Sequence, residues 1–554
     1  MMKRTFILLG LTLTFASSLI AAGPKWMKQA SKSMAVLYAL QQRGDTLVSK
    51  AFFTDENGTL VAPFKVIQYA RSAWITDTSG KRFEVVRIQG FNSTYNVVRL
   101  AIDLGKKKSA SLPLAGSPLT KGERVYLMPQ ATTDEVAQVE KADEYNYYTL
   151  RSSASPSEAG TPVINEQGEV VAILQSPVVT AKSPNYGLDI RFAQSLVIRA
   201  IDANNSDLRQ CSIPKQLPSD EGQATSFLYL AQNADVQSRL TYADDFIQLF
   251  PKSVTGYVQK AEALAFNQQY NDAFQVYEAG IKQETGHNDE LLYSRSRVIY
   301  AIALQKADGL PDNWTLEQAL QDVTAAQETN PLPLYSLHEA NIRFALKQYP
   351  EAYKLFMAAT QTKMRSAELF LYAWQCQQQM GADKDVLLAL NDSAVACFSK
   401  PYPTSAAPFL LLRSQTLQDM GRLREAITDL NDYEHLMSNQ LTAKFYYQRE
   451  QLEVQTRMYA AAVNDIQRAI TLEPNEPLFH AESAALLFRL KDLDGAVAAC
   501  RKAIALDADF PDAHRLLGVC LREKGDMAGA RRELQKSIEL GDKLAQDILD
   551  KIRD

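Results

Sequence analysis

Imidazole and thiol groups carry most acid–base, nucleophilic and metal chemistry, and in this 554-residue chain both are scarce. The five histidines are His287, His338, His435, His480 and His514, so the whole chain ahead of His287 lacks an imidazole. Any proton transfer there must use another base. The five cysteines, Cys211, Cys376, Cys397, Cys500 and Cys520, are an odd number spread widely, and no two form a CxxC pair. That excludes a disulfide framework and the usual zinc and thioredoxin readings. Cys500 and Cys520 read as small core residues. Neither a cofactor nor a metal is expected.

The elements that must position any site fall into two kinds. A chain of this length exceeds a single core, so at least two units are needed, one of them repetitive. With 46% hydrophobic residues, 22% charged residues and a net charge of -5, the composition is that of a globular protein without a basic surplus. Nucleic acid is therefore not an expected partner. Lys3 and Arg4, the apolar run Phe6 to Ile20 and the small residues Ala21-Ala22-Gly23 have the form of an export signal over residues 1–23. The expected location is beyond the inner membrane of a bacterium, periplasmic or further out. No later stretch is apolar enough to span a bilayer, so an integral membrane protein is not expected once the signal is removed.

The C-terminal part repeats. AAVNDIQRAITLEP, GAVAACRKAIALDA and GARRELQKSIELGD each hold small residues seven apart, at Ala462/Ala469, Ala496/Ala503 and Ala530/Ser537. The steps 462 to 496 and 496 to 530 are both 34, the period of the tetratricopeptide repeat. Ala426/Tyr433, Ala352/Ala359, Ala319/Ala326 and Ala273/Gly280 continue the series, with a degenerate copy near Val386/Ser393 and a weaker one ending at Pro251. The wide step from 273 to 319 implies an insertion of about a dozen residues near Gly309-Leu310-Pro311-Asp312. Eight or nine helical pairs over 225–554 are expected to stack as an all-α superhelical solenoid. His480 and His514, also 34 apart, fall where the repeat usually carries a large aromatic and read as packing residues.

From Ser33 to about Ser195 the pattern is instead short apolar runs between Gly, Asn and Pro turns, which predicts an all-β domain. Five segments in order resemble the trypsin-like serine proteases of bacterial periplasmic type: AFFTDENGTLVAPFKVI, NSTYNVVRLAID, KGERVYLM, SPSEAGTPVINEQGEVVAIL and NYGLDIRFAQSLV. The resemblance implies a double β-barrel over 24–203. It also aligns Lys65 with the catalytic histidine, Asn96 with the aspartate and Ala159 with the nucleophilic serine. All three catalytic groups would then be absent. Ser157 would replace the glycine of the oxyanion site and Thr161 the second glycine after the nucleophile. Alanine has no hydroxyl, and a serine hydroxyl attacks only when a base takes its proton.

The sequence therefore points to a pseudoprotease domain, a polar connector over 204–224 and a repeat array that holds a protein or peptide partner on its concave face. Tyr447, Phe488, Arg489, Arg515 and Arg522 are the candidate partner contacts, since aromatics and arginines anchor interfaces. The Lys and Asn of carboxylate-clamping repeats are missing at Leu411/Gln415, Tyr447/Gln451, Ala481/Ala485 and Arg515/Val519. Two alternatives remain. Lys65 could serve as base toward Ser155 or Ser157 in a Ser–Lys endopeptidase, or the β-domain could act only as a cap on the array. Separately, Glu158 could pair with Lys65 as a salt bridge across the vacant site. Whether Ile213 and Leu217 dock the connector on the β-domain decides how freely the parts move.

Overall fold

The computed structural model describes residues 24–142, 144–153, 158–175, 183–283, 286–305 and 310–552. The expected signal, 1–23, and both Ser155 and Ser157 lie outside them. After a short helix α1 (Met27–Ser33), twelve strands close into two six-stranded barrels. The first uses β1 (Met34–Gln41), β2 (Thr46–Phe53), β3 (Thr59–Ala62), β4 (Ala70–Asp77), β5 (Arg82–Asn92) and β6 (Val97–Ile102), in the order β1-β2-β3-β6-β5-β4. The second uses β7 (Arg124–Leu127), β8 (Thr132–Ala142), β9 (Tyr145–Ser153), β10 (Pro162–Ile164), β11 (Val170–Gln175) and β12 (Pro184–Asp189), in the order β10-β11-β12-β9-β8-β7. Neighbouring strands run antiparallel throughout.

Alternation along the strands builds the cores. Leu37, Ala39, Phe53, Leu60, Ile75, Ile88 and Leu100 fill the first barrel. Where a strand carries apolar residues on both faces, the second face joins the barrels: Phe52, Val61 and Val97 pack with Ile164, Ile173 and Leu188 of the second barrel and with Ile190 just after it. A closed barrel leaves no unpaired edge, which suits strands as short as β10.

Helix α2 (Ile190–Ser195) leads into the stretch expected as a connector. That stretch is docked. Ile213 and Leu217 are each 5% exposed and belong to the first barrel's core, and Lys215 forms a parallel bridge with Ile88 on β5. The segment buries its few apolar residues and satisfies its backbone on the barrel, for example from Gln216 N–H to Ile88 O at 2.8 Å. Helices α3 (Glu221–Leu230) and α4 (Val236–Leu249) extend the same core through Phe227, Tyr242 and Phe246. A bidentate pair, Arg87 to Asp245 with both bonds at 2.9 Å, ties β5 to α4. The described residues divide into two compact units, one of those up to 298 with 310–312, the other of 299–305 with 313–552. The barrels and the first helices thus form one unit.

α5 (Val254–Phe266) and α6 (Tyr270–Lys282) also lie in the first unit, and α7 (Asn288–Leu304) continues from it into the second. The second unit consists of α8 (Leu316–Thr329), α9 (Pro333–Ala345), α10 (Tyr349–Ala359), α11 (Ala367–Gln379), α12 (Lys384–Val395), α13 (Ala407–Asp419), α14 (Leu423–Met437), α15 (Ala443–Gln455), α16 (Tyr459–Leu472), α17 (Pro477–Arg489), α18 (Leu493–Leu506), α19 (Pro511–Glu523), α20 (Met527–Glu539) and α21 (Lys543–Leu549). The small residues do what their spacing suggests: Ala462, Ala469, Ala496, Ala503, Ala530 and Ser537 are wholly buried where helices cross. In α12 the expected pair is displaced, because Val386 is exposed while Leu388, Asn391 and Ala394 are buried. Part of the extra length between 273 and 319 goes into α7, which has 17 residues where its neighbours α5 and α6 have 13. His480 and His514 pin their preceding turns, donating from Nε2 to Pro474 O at 2.9 Å and to Ala508 O at 3.1 Å. Cys500 and Cys520 are fully buried.

Candidate functional site

The seam between the barrels gathers the residues aligned with a protease triad. Lys65 sits in a single 3-10 turn, Phe64–Val66, directly after β3, with its side chain in solvent. Asn96 ends the loop before β6 at φ 48°, a left-handed conformation that asparagine tolerates better than most residues. Its Oδ1 accepts the Lys65 backbone N–H at 2.9 Å. The two positions are therefore neighbours although 31 residues separate them. The amide of Asn96 works as a cap for the turn, a role that needs an acceptor oxygen and no charge.

Ala159 lies in a tight turn, its side chain buried, and its carbonyl is 3.5 Å from the Ser49 hydroxyl. The next residue, Gly160, has φ +85°, and a Cβ there would stand 2.1 Å from Lys50 O and 2.8 Å from Pro63 Cδ. The turn is thus pressed against β2 and the end of β3, two residues from Lys65. Thr161 is fully buried and its hydroxyl donates to Glu158 O at 2.9 Å, which closes the turn on itself. The cation facing Glu158 is Lys50. Burial pushes the Lys50 ammonium below its ordinary value, and the Glu158 carboxylate works against that shift. Among the described residues the seam therefore offers two lysines, one glutamate and no imidazole.

In the second unit a different cluster forms on α15, α16 and α17. Arg449 bonds Asp465 through Nε at 2.6 Å and Nη2 at 2.7 Å, and reaches Glu434 at 2.7 Å. Its charge is thereby spent. Glu450 and Glu453, one turn apart on α15, are 0% and 3% exposed, and among the described residues Glu450 Oε1 and Glu453 Oε2 find no hydrogen-bond partner. Burial first, and then the Glu482 carboxylate, push Glu450 up to about 7. Burial, and then Asp465, do the same for Glu453, also to about 7, with Arg449 opposing. Glu482 on α17 is raised as well, chiefly by burial and against the pull of Arg489.

The candidate partner contacts separate in this frame. Tyr447 is half-buried with its ring 5.5 Å from that of Phe479, and Arg489 is exposed and 5.8 Å above Tyr459. Both border the acidic cluster, since Glu450 and Glu482 feel Arg489 and Tyr447 feels both carboxylates. Phe488 packs among residues of α17 to α21. Arg515 is held by Asp512 and Asp542, both at 2.5 Å, and Arg522 by Glu523 at 2.9 Å. No feature of the sequence marks the buried glutamates, because charged residues on a helix normally belong to its wet face.

Family models of the tetratricopeptide repeat match residues 451–509 and 487–551. An E3 ubiquitin-protein ligase CHIP of Arabidopsis thaliana is 34% identical over 83 residues, which cover 15% of this chain and 30% of that protein. Human tetratricopeptide repeat protein 13 is 30% identical over 110 residues, covering 20% of this chain and 12% of its own. The chain thus spans less than a third of either curated relative. Among solved structures, the Rv3671c protease of M. tuberculosis in its active form aligns at 15% identity over 31% of this chain and 84% of its own, with a TM-score of 0.27. The HtrA-type protease AlgW with a tripeptide aligns at 14% identity over 30% of this chain and 60% of its own, also at 0.27. The C-terminal hairpins are tetratricopeptide repeats, and the region ahead of the helices is a pair of six-stranded barrels.

Proposed function

We propose that the chain is a non-catalytic, exported adaptor that binds protein or peptide partners through its tetratricopeptide repeats. The observation that carries this reading is the alanine at position 159 beside a seam without any imidazole. Acyl transfer needs a nucleophile and a base within hydrogen-bond reach. A Ser–Lys site gains no support from Lys65, whose side chain is in water and lacks the burial on which lysine bases rely. The test is turnover of an unfolded substrate such as reduced casein by the full chain. No cleavage is expected, and cleavage that disappears in Lys65→Ala would overturn the proposal.

A second reading is favoured by one observation, the core shared by the first barrel with α3 and α4. On this reading the barrels also cap the helical array, because a terminal repeat needs a cover for its apolar face. Deleting residues 24–202 strips the cover from Phe227, Tyr242 and Phe246. The remainder is expected to aggregate. A soluble remainder with an unchanged melting temperature would refute the capping role.

A further inference from the structure

Two of the five cysteines meet inside the repeat unit. Cys500 on α18 and Cys520 on α19 are each 0% exposed, and their thiols lie within hydrogen-bond reach of one another. The two helices pack together, and the pair shares one core with Ala496 and Val497 of α18 and with Leu517 and Leu521 of α19. Sharing a proton across the contact pushes the Cys500 thiol above its ordinary value and holds the Cys520 thiol below its own. The charged groups that bear on the pair are carboxylates, Glu533 of α20 on Cys500 and Glu523 of α19 on Cys520.

The remaining cysteines are placed differently. Cys397 donates to Ser393 O at 3.5 Å, in the turn that precedes it. Burial pushes Cys376 and Cys211 each up to about 11, and Cys211 packs against the core of the first barrel. The place of the Cys500–Cys520 contact matters more than its burial. The small-residue pairs mark α18 as the second helix of one repeat, so α19 opens the next, and the contact crosses the interface between them. Repeat arrays draw much of their stability from such nearest-neighbour interfaces. Disulfide sulfurs stand about 2.05 Å apart, and thiols already in contact on facing helices approach that distance by side-chain rotation.

We propose that Cys500 and Cys520 are a modification site, a dithiol that closes to a disulfide and ties the repeat α17–α18 to the repeat α19–α20. The oxidant is a small disulfide such as glutathione disulfide. One cysteine, as thiolate, attacks a glutathione sulfur, forms a mixed disulfide and releases one glutathione. The second cysteine loses its proton, attacks the protein sulfur of the mixed disulfide and releases the other glutathione. Two protein thiols are oxidised, one small disulfide is reduced, and the two protons end on the two glutathiones. Because both sulfurs are shut off from solvent once the helices pack, the exchange belongs to folding, and the finished core then shields the bond from reductant. The site needs no partner and no substrate, so it stands apart from the adaptor reading.

The experiment refolds the full chain from urea in a mixture of reduced and oxidised glutathione, then alkylates the remaining thiols with N-ethylmaleimide in denaturant. Three adducts are expected in place of five. A tryptic digest should give one linked species, Asp492–Arg501 joined to Leu516–Arg522. Closing a loop of about twenty residues should raise the melting temperature of the repeat unit by about 5–10 °C over the chain refolded in dithiothreitol. Cys500→Ala and Cys520→Ala should each abolish both the link and the shift, while Cys376→Ala keeps them. Should either alanine variant misfold, the comparison of oxidised and reduced wild type decides alone. Five adducts in a folded chain, a link that uses Cys376 or Cys397 as readily, or a linked chain that melts no higher than the reduced one would overturn the proposal.

Discussion

Replacing Glu450 by glutamine should stabilise the repeat unit in alkaline solution and do almost nothing in acid. Glu450 is raised from 4.5 to about 7 and its Oε1 has no partner among the described residues. The folded state therefore takes up a proton more readily than the unfolded chain does. Stability from this group is fully present below about pH 4.5 and is lost as pH rises through about 7. A tenfold difference in proton affinity between the folded and unfolded chain is worth about 1.4 kcal/mol, so ionising this one buried carboxyl costs on the order of 3 kcal/mol. Glu453 is raised to the same value and the two share neighbours, so their costs overlap and the pair is worth about 3–5 kcal/mol together. Glutamine keeps the shape and leaves a carbonyl that can still accept from Gln451 Nε2, now bonded at 2.6 Å. Thermal unfolding by circular dichroism at about pH 5 and about pH 8.5 measures the difference. The wild type should melt lower at the alkaline pH, and Glu450→Gln should recover several degrees there, at about 2–4 °C per kcal/mol for a unit of this size. A variant that loses equal stability at both pH values would refute the reasoning, because the carboxylate would then be making a bond worth keeping.

Three further outcomes follow from the seam and the dock. Gly160→Ala places a Cβ 2.1 Å from Lys50 O at a positive φ, and should cost the barrel unit about 2–4 kcal/mol in urea denaturation. Asn96→Ala removes the acceptor for the Lys65 N–H and puts alanine at φ 48°, for a loss of about 1–2 kcal/mol, whereas Asn96→Asp keeps the acceptor and should stay near wild type. A double-mutant cycle on Arg87→Ala and Asp245→Ala should return a coupling of about 1 kcal/mol or more, since the pair is bidentate and each side chain is about a quarter exposed. Simple additivity would mean that the pair does not help to hold α4 on β5.

The repeats were legible because their signal is steric. A helix crossing admits only a small side chain, so Ala462, Ala496 and Ala530 had to recur at the stacking period. The barrels were legible for a similar reason, as alternation such as that of Met34 to Gln41 is imposed by the pleat. The motif order set Lys65 and Asn96 side by side in one reading, and the Asn96 side chain does meet the Lys65 backbone. The docked segment was not legible. Its apolar content is thin, and what holds it is backbone pairing to β5, which leaves no mark on side-chain type. Nor were the buried glutamates, whose burial depends on what α16 and α17 lay over α15. Lys50 as the neighbour of Glu158 was missed because it lies on β2, more than a hundred residues away in the chain.

The core that the first barrel shares with Phe227, Tyr242 and Phe246 makes those helices dependent on the strands that precede them. An exported chain crosses the membrane with its strands ahead of α3 and α4, and strands that neighbour one another in the barrel are close in sequence. The receiving surface can therefore close first, whereas the apolar faces of α3 and α4 have no cover until they reach it.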